Sequence, residues 1–109
     1  MINRKQQECI DACNDCFVAC ESCATDCLRG SDVKMMVKCI QLCRDCADIC
    51  ALCARFEARD SQFAKKLCAL CADICDACAE ECEKHEAEHC KKCAEECRKC
   101  AEECRKMAA

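Results

Sequence analysis

Twenty-one of the 109 residues are cysteine, and they fall in four blocks. The first holds Cys9, Cys13, Cys16, Cys20, Cys23 and Cys27; the second Cys39, Cys43, Cys46, Cys50 and Cys53. The third holds Cys68, Cys71, Cys75, Cys78 and Cys82, and the fourth Cys90, Cys93, Cys97, Cys100 and Cys104. Within each block, intervals of three and four residues alternate strictly. On a helix that alternation keeps every thiol on one face, at the heptad positions where Leu and Ile normally line the buried seam of a bundle. The seam of this chain is sulfur.

Thiols at i and i+4 have Cβ atoms about 5–6 Å apart and face the same way, so two thiolates can converge on one metal ion. Such pairs run through all four blocks, from Cys9 with Cys13 to Cys100 with Cys104. Cysteine acting only as a small hydrophobe accounts for one or two positions, not for this number. Replacing most seam leucines by cysteine gives up apolar burial at about 25 cal/mol per Å² with no gain in packing. Metal binding is the use that repays the substitution, and ligand softness narrows the metal to Cu(I), Zn(II) or iron–sulfur clusters.

Charge and pattern separate these three. A four-thiolate Zn(II) site carries about −2, so about five of them would bury roughly −10 in a narrow bundle. Cu(I) cancels one thiolate each, and a core with about one Cu(I) per cysteine is nearly neutral without any buried Lys or Arg. Iron–sulfur clusters use a few cysteines each, commonly on loops, unlike an unbroken helical ladder. The residues therefore point to a store of many Cu(I) ions. Zinc or cadmium sequestration, in a role like that of metallothionein, is the alternative; an iron–sulfur redox protein and a disulfide-based redox buffer stand further back. Thiols at i and i+4 are poorly oriented for an unstrained bridge.

The elements that carry the ladder are helices. There is no proline and only one glycine, Gly30, and the aromatics are Phe17, Phe56 and Phe63. The spacing predicts helices over about 3–28, 32–57, 61–84 and 88–107 in one domain spanning 1–109. Gly30 stops the first, Ser31 or Asp32 caps the second, and Asp60 or Ser61 caps the third. The interval of eight from Cys82 to Cys90 breaks the alternation, and a helix of nearly fifty residues is improbable in a small domain, so a turn falls between them. Short connections make neighbours antiparallel, which gives an all-α, up-down-up-down four-helix bundle with a cysteine-lined core. The last helix reads as solvated, with Glu to Lys pairs at i, i+4. Leu42, Ile49, Phe56, Leu67, Leu70 and Ile74 flank the second and third seams, for helix packing or a subunit interface.

The pattern resembles the copper storage protein family, four-helix bundles filled with Cu(I). The resemblance covers essentially the whole chain and rests on the four blocks, their Cys-x3-Cys pairs, and the stretch from His85-Glu-Ala-Glu-His89-Cys90 through Cys93, Cys97, Cys100 and Cys104. It implies reversible, high-capacity storage, commonly in a homotetramer, with all 21 cysteines as ligands and a copper chaperone as a conceivable partner.

In the antiparallel bundle the first and third connections share one end, which gathers Met35, Met36, His85 and His89. Extending the seams puts Met36 in register with Cys39 and His85 with Cys82, while His89 sits beside the seam. Thioether and imidazole hold Cu(I) less tightly than thiolate, so this end is expected to be the mouth through which copper passes. Met107 with Phe56 and Phe63 is expected to form an apolar plug at the other end. No Ser/His/Asp set, phosphate-binding loop or isolated carboxylate pair suggests an enzyme. A net charge of −4 gives no pull toward nucleic acid or anionic membrane. No apolar run reaches membrane-spanning length and the polar N-terminus lacks a signal h-region, so a cytoplasmic setting with reduced thiols is expected.

Overall fold

The computed structural model describes residues 1–109. Four helices follow in order: α1 (Arg4–Arg29), α2 (Val37–Ala58), α3 (Ala64–Cys82) and α4 (Glu88–Ala108). The backbone of each helix packs on its two neighbours, and across the diagonal only the central side chains meet, so the up-down-up-down bundle is square in section, 46 × 19 × 18 Å overall.

The helix ends show what sets each boundary. Asn3 opens α1 with a capping box: its Oδ1 accepts the Gln6 N–H at 2.9 Å, and its own N–H donates to Gln6 Oε1 at 2.8 Å. Two donors that the helix leaves unpaired are thereby satisfied. Gly30 does stop α1, but with extended backbone (φ −77°, ψ 173°) rather than a left-handed cap. The second helix starts later than residue 32, because Val33–Met36 wind as a tighter 3-10 turn and α2 begins at Val37. Asp32 makes no side-chain cap bond there.

Asp60 does not cap α3; it ends α2. It is the one non-glycine residue at positive φ (50°). Its N–H donates to the Glu57 carbonyl at 3.1 Å, and the Ser61 N–H donates to the Phe56 carbonyl at 3.0 Å. These are the paired bonds of a Schellman stop, with Asp tolerating the left-handed position that glycine usually fills. Asp60 Oδ1 also accepts the Gln6 amide at 2.7 Å, tying the start of α1 to this turn. Ser61 Oγ accepts the Phe63 N–H at 3.1 Å, and α3 starts at Ala64.

Every cysteine is buried, none more than 2% exposed. Beside the thiols lie small residues: Ala24, Ala47, Ala72, Ala79, Ala94 and Ala101 are all buried. Alanine on the flanks lets helix backbones approach, which brings thiols of facing helices into van der Waals range. Larger side chains such as Phe17, Ile40, Leu42 and Ile74 pack against the core from its margins. Between α3 and α4, Arg98 bridges Asp76 (3.2 Å) and Glu83 (2.8 Å), and Arg105 pairs with Asp73 and Asp76. The outer face of α4 is thus partly occupied in clamping its neighbour, at up to about 1 kcal/mol per exposed pair.

Candidate metal centre

The four ladders meet along the bundle axis as a column of free thiols. Sulfurs of different helices approach within 3.2–3.9 Å. Near the middle, Cys46 Sγ lies 3.7 Å from Cys16, 3.6 Å from Cys75 and 3.9 Å from both Cys50 and Cys97. Toward the first connection the column continues through Cys20 and Cys93 (3.6 Å), Cys43 and Cys78 (3.8 Å) and Cys39 and Cys82 (3.7 Å). Toward the other end it runs through Cys50 and Cys71 (3.8 Å), Cys13 and Cys100 (3.7 Å), Cys9 and Cys104 (3.9 Å) and Cys53 and Cys68 (3.2 Å). All these separations far exceed a disulfide bond.

Sets of four thiols lie with their sulfurs within 4.8 Å of one another: Cys9, Cys13, Cys53, Cys104; Cys13, Cys71, Cys100, Cys104; Cys16, Cys46, Cys50, Cys75; and others. Four thiolates on one tetrahedral ion at about 2.3 Å would stand about 3.8 Å apart, so these spacings suit metal ligation. The sets overlap. Cys13, Cys16, Cys20, Cys46, Cys97 and Cys104 each belong to at least two. Shared sulfurs fit bridging thiolates in a continuous cluster better than separate closed sites. No Lys, Arg or His is among the buried residues, so the positive charge to balance thiolates must come from the metal.

The mouth residues do not all converge. His89 Nδ1 lies 3.5 Å from both Cys23 Sγ and Cys90 Sγ, so it joins the column directly. His85 donates through Nε2 to Glu81 Oε2 at 3.0 Å. Glu81 is itself buried, and Lys84 (3.5 Å) and Lys38 (3.9 Å) approach its other oxygen. Met36 packs against the core, whereas Met35 is 67% exposed and points away from it. A groove of about 620 Å³ between α1 and α4 leads from Asp26 and Ser22 to Cys23, His89 and Cys93. At this end burial and the charge of neighbouring Cys39 and Cys27 push the Cys90 thiol up to about 12, and burial chiefly raises Cys27 as well.

The opposite end is only in part the apolar plug expected: Met107 packs against the core, but the two phenylalanines do not close it. Phe63 is 57% exposed, and Phe56 lies under the Arg59 guanidinium at 4.5 Å. The residue that is buried there is Glu57, 2% exposed, with Cys68 Sγ donating to its Oε1 at 3.4 Å. Burial raises the Glu57 carboxyl above its usual range, against the lowering effect of the Cys68 bond. The ladder's own arithmetic marks this position: four residues beyond Cys53 is Glu57, just as three before Cys9 is the buried Gln6. Glu81 gave no such signal, since it is off the ladder.

A four-helix bundle built round a continuous thiol column is a metal-sequestering protein. The chain belongs to the copper storage protein family, whose family model matches residues 2–109. Among solved structures, the Cu(I)-bound copper storage protein BsCsp3 is 52% identical, with a TM-score of 0.93 over 97% of this chain and 100% of that one. Apo copper storage protein 3 from Bacillus subtilis is 52% identical, with a TM-score of 0.88 over 94% of this chain and 98% of that one. The cytosolic copper storage protein from Streptomyces lividans, loaded with five coppers, is 35% identical, with a TM-score of 0.92 over 95% of this chain and 92% of that one. No curated protein sequence matches the chain.

Proposed function

We propose that the protein stores Cu(I) reversibly and at high capacity, with its 21 cysteines as bridging thiolate ligands and Cu(I) as the cargo. The observation that carries this reading is the overlap of the four-thiol sets in a core without any buried cation. Monovalent ions in about the number of the thiolates neutralise such a core, whereas four-thiolate divalent sites leave it strongly negative. The role is storage rather than catalysis, because a metal enclosed by thiolates keeps no open coordination position for a substrate. The Cu(I)-bound and copper-loaded relatives support the same reading, and the cytosolic Streptomyces lividans protein supports a cytoplasmic setting. Assembly into a homotetramer would use the apolar flank of α2 and α3, where Leu52 and Leu70 are exposed. Delivery by a copper chaperone at the His89 end completes the scheme, with His85, Met35 and Met36 as the accessory mouth residues.

Anaerobic titration of the reduced apo-protein with Cu(I) against a competing chelator tests this. Tight uptake near one ion per cysteine is expected; saturation after a few ions would overturn it. Apparent affinity should also rise with pH. Thiols such as Cys90, with a pKa pushed up to about 12, are protonated at neutral pH and must lose the proton to bind. The rise is up to about tenfold per pH unit for each proton displaced, read by repeating the titration at several pH values.

Bridging makes position matter. Cys46 touches four other sulfurs near the middle of the column, whereas Cys27 is the last cysteine of the α1 ladder. Cys46→Ala is therefore expected to lower capacity by two ions or more, and Cys27→Ala by one at most. Equal losses, measured as copper per chain after gel filtration, would argue for independent sites.

A further inference from the structure

The α2 ladder, Cys39, Cys43, Cys46, Cys50, Cys53, takes one more step of four and ends on a carboxylate, Glu57. At 2% exposure this side chain is as buried as the thiols. Oε1 accepts from Cys68 Sγ at 3.4 Å, and Oε2 is buried with no hydrogen-bond partner. Gln6, the buried amide at the same end, gives its Nε2 to Asp60 instead. The cysteines around Glu57 are also distinctive: Cys53 and Cys68 make the shortest sulfur contact of the column, 3.2 Å, and Cys9 lies within 4.8 Å of Cys53 and beside Cys68.

This end does not follow the charge rule of the column. One Cu(I) per thiolate leaves the thiolates neutral but the carboxylate uncompensated, and a hard carboxylate oxygen is a poor donor for soft Cu(I). An ion of borderline softness accepts sulfur and oxygen together, and so gives the buried carboxylate a direct metal bond that Cu(I) would not. The geometry agrees. Sulfur at about 2.3 Å and oxygen at about 2.0 Å from a tetrahedral centre stand about 3.5 Å apart, against 3.4 Å between Cys68 Sγ and Glu57 Oε1. The Cys53 to Cys68 edge would open by about half an ångström to reach the about 3.8 Å of two bound thiolates.

We propose that Glu57, Cys53, Cys68 and Cys9 form a site for one divalent ion of borderline softness, of the Zn(II) class, at the end of the bundle remote from His89. The ion would join α1, α2 and α3 and supply Glu57 Oε2 or Oε1 with the positive partner it lacks. The site draws Cys9, Cys53 and Cys68 from the end of the thiolate column, where the divalent ion would take the place of Cu(I), and it does not rest on the copper-storage reading.

The test is an anaerobic titration of the reduced, full-length apo-protein with Zn(II) against a chromophoric chelator, repeated with Co(II) as a spectroscopic probe. Wild type, Glu57→Gln, Glu57→Asp and the exposed-site control Glu102→Gln are compared, with circular dichroism confirming the helix content of each. In wild type and Glu102→Gln, one equivalent of Zn(II) should bind ahead of the rest, and one Co(II) should give visible bands of tetrahedral intensity with thiolate charge transfer. Glu57→Gln should weaken that first step tenfold or more and change the Co(II) bands, with Glu57→Asp between the two. Equal first-step affinity in wild type and Glu57→Gln overturns the site. So does a Glu57→Gln variant that loses one Cu(I) equivalent while zinc uptake is untouched, since Glu57 would then be a copper ligand. The Cu(I) capacity of wild type, measured in parallel, reports on storage independently.

Discussion

Loading with Cu(I) is expected to raise the thermal unfolding midpoint by some tens of degrees. The apo core is made almost wholly of thiols and alanine methyls, so each buried side chain contributes little apolar area. Only Ile10 among the larger aliphatic side chains is buried; the rest lie at the margins. Ions that bind sulfurs from two or more helices stabilise only the assembled bundle, because the unfolded chain does not hold those sulfurs together. An ion present at a thousand times its dissociation constant adds about 4 kcal/mol, and 1 kcal/mol moves the midpoint of a domain this size by about 4–8 °C. Two tightly held ions therefore suffice for a shift of about 30 °C or more. Circular dichroism melts of reduced apo and loaded protein, kept anaerobic, measure it. Both forms should be equally helical at low temperature, and coincident midpoints would show that the thiols are not cross-linking the helices.

The architecture was legible because one residue type marks the buried face of every helix. The alternation of three and four fixes which face turns inward, and the eight-residue interval between Cys82 and Cys90 locates the last turn without any glycine or proline. What the ladder could not disclose is how the helices end. Asp60 reads in sequence as an N-cap, but a left-handed Asp at the end of α2 is equally compatible with its short polar side chain, and only the packed turn decides. The 3-10 turn at Val33–Met36 was hidden for a similar reason: its residues have ordinary helical propensity, and the tighter winding comes from how α1 and α2 are joined.

The site was legible in its ligands and less so in its ends. All 21 thiols fall inside, as the heptad positions require. The mouth divides, however, since adjacent residues on a helix face different ways: Met36 turns to the core, and Met35 therefore turns to solvent. Glu57 is hard to see in the sequence because an acidic residue four beyond Cys53 looks like surface charge unless the seam is extended past its last cysteine. Glu81 depends on the fold of the α3–α4 turn, which brings His85 back over the preceding helical turn.

If His89 is the point of transfer, as proposed, His89→Ala should slow copper uptake and release about tenfold or more while leaving capacity within one ion of wild type. Its Nδ1 lies 3.5 Å from two sulfurs that stand at the head of the column, so an ion held by the imidazole needs to move only a short distance to exchange nitrogen for thiolate. Without the ring, a carrier's copper must meet the protonated Cys90 thiol directly, and a loss of about 1.4 kcal/mol in that step is the tenfold. His85 has a different position. Its Nε2–H is held by Glu81, which leaves Nδ1 as the nitrogen with a lone pair, an arrangement common for metal-binding histidines. His85→Ala should therefore have a smaller effect of the same sign, and Met35→Ala none, since that side chain stands in solvent. Stopped-flow transfer from a Cu(I)–chelator complex separates these variants. A protein with His85, His89, Met35 and Met36 all replaced by alanine that still loads and releases at wild-type rates would move the entrance elsewhere, and the α1–α4 groove that reaches Cys93 would be the next place to test.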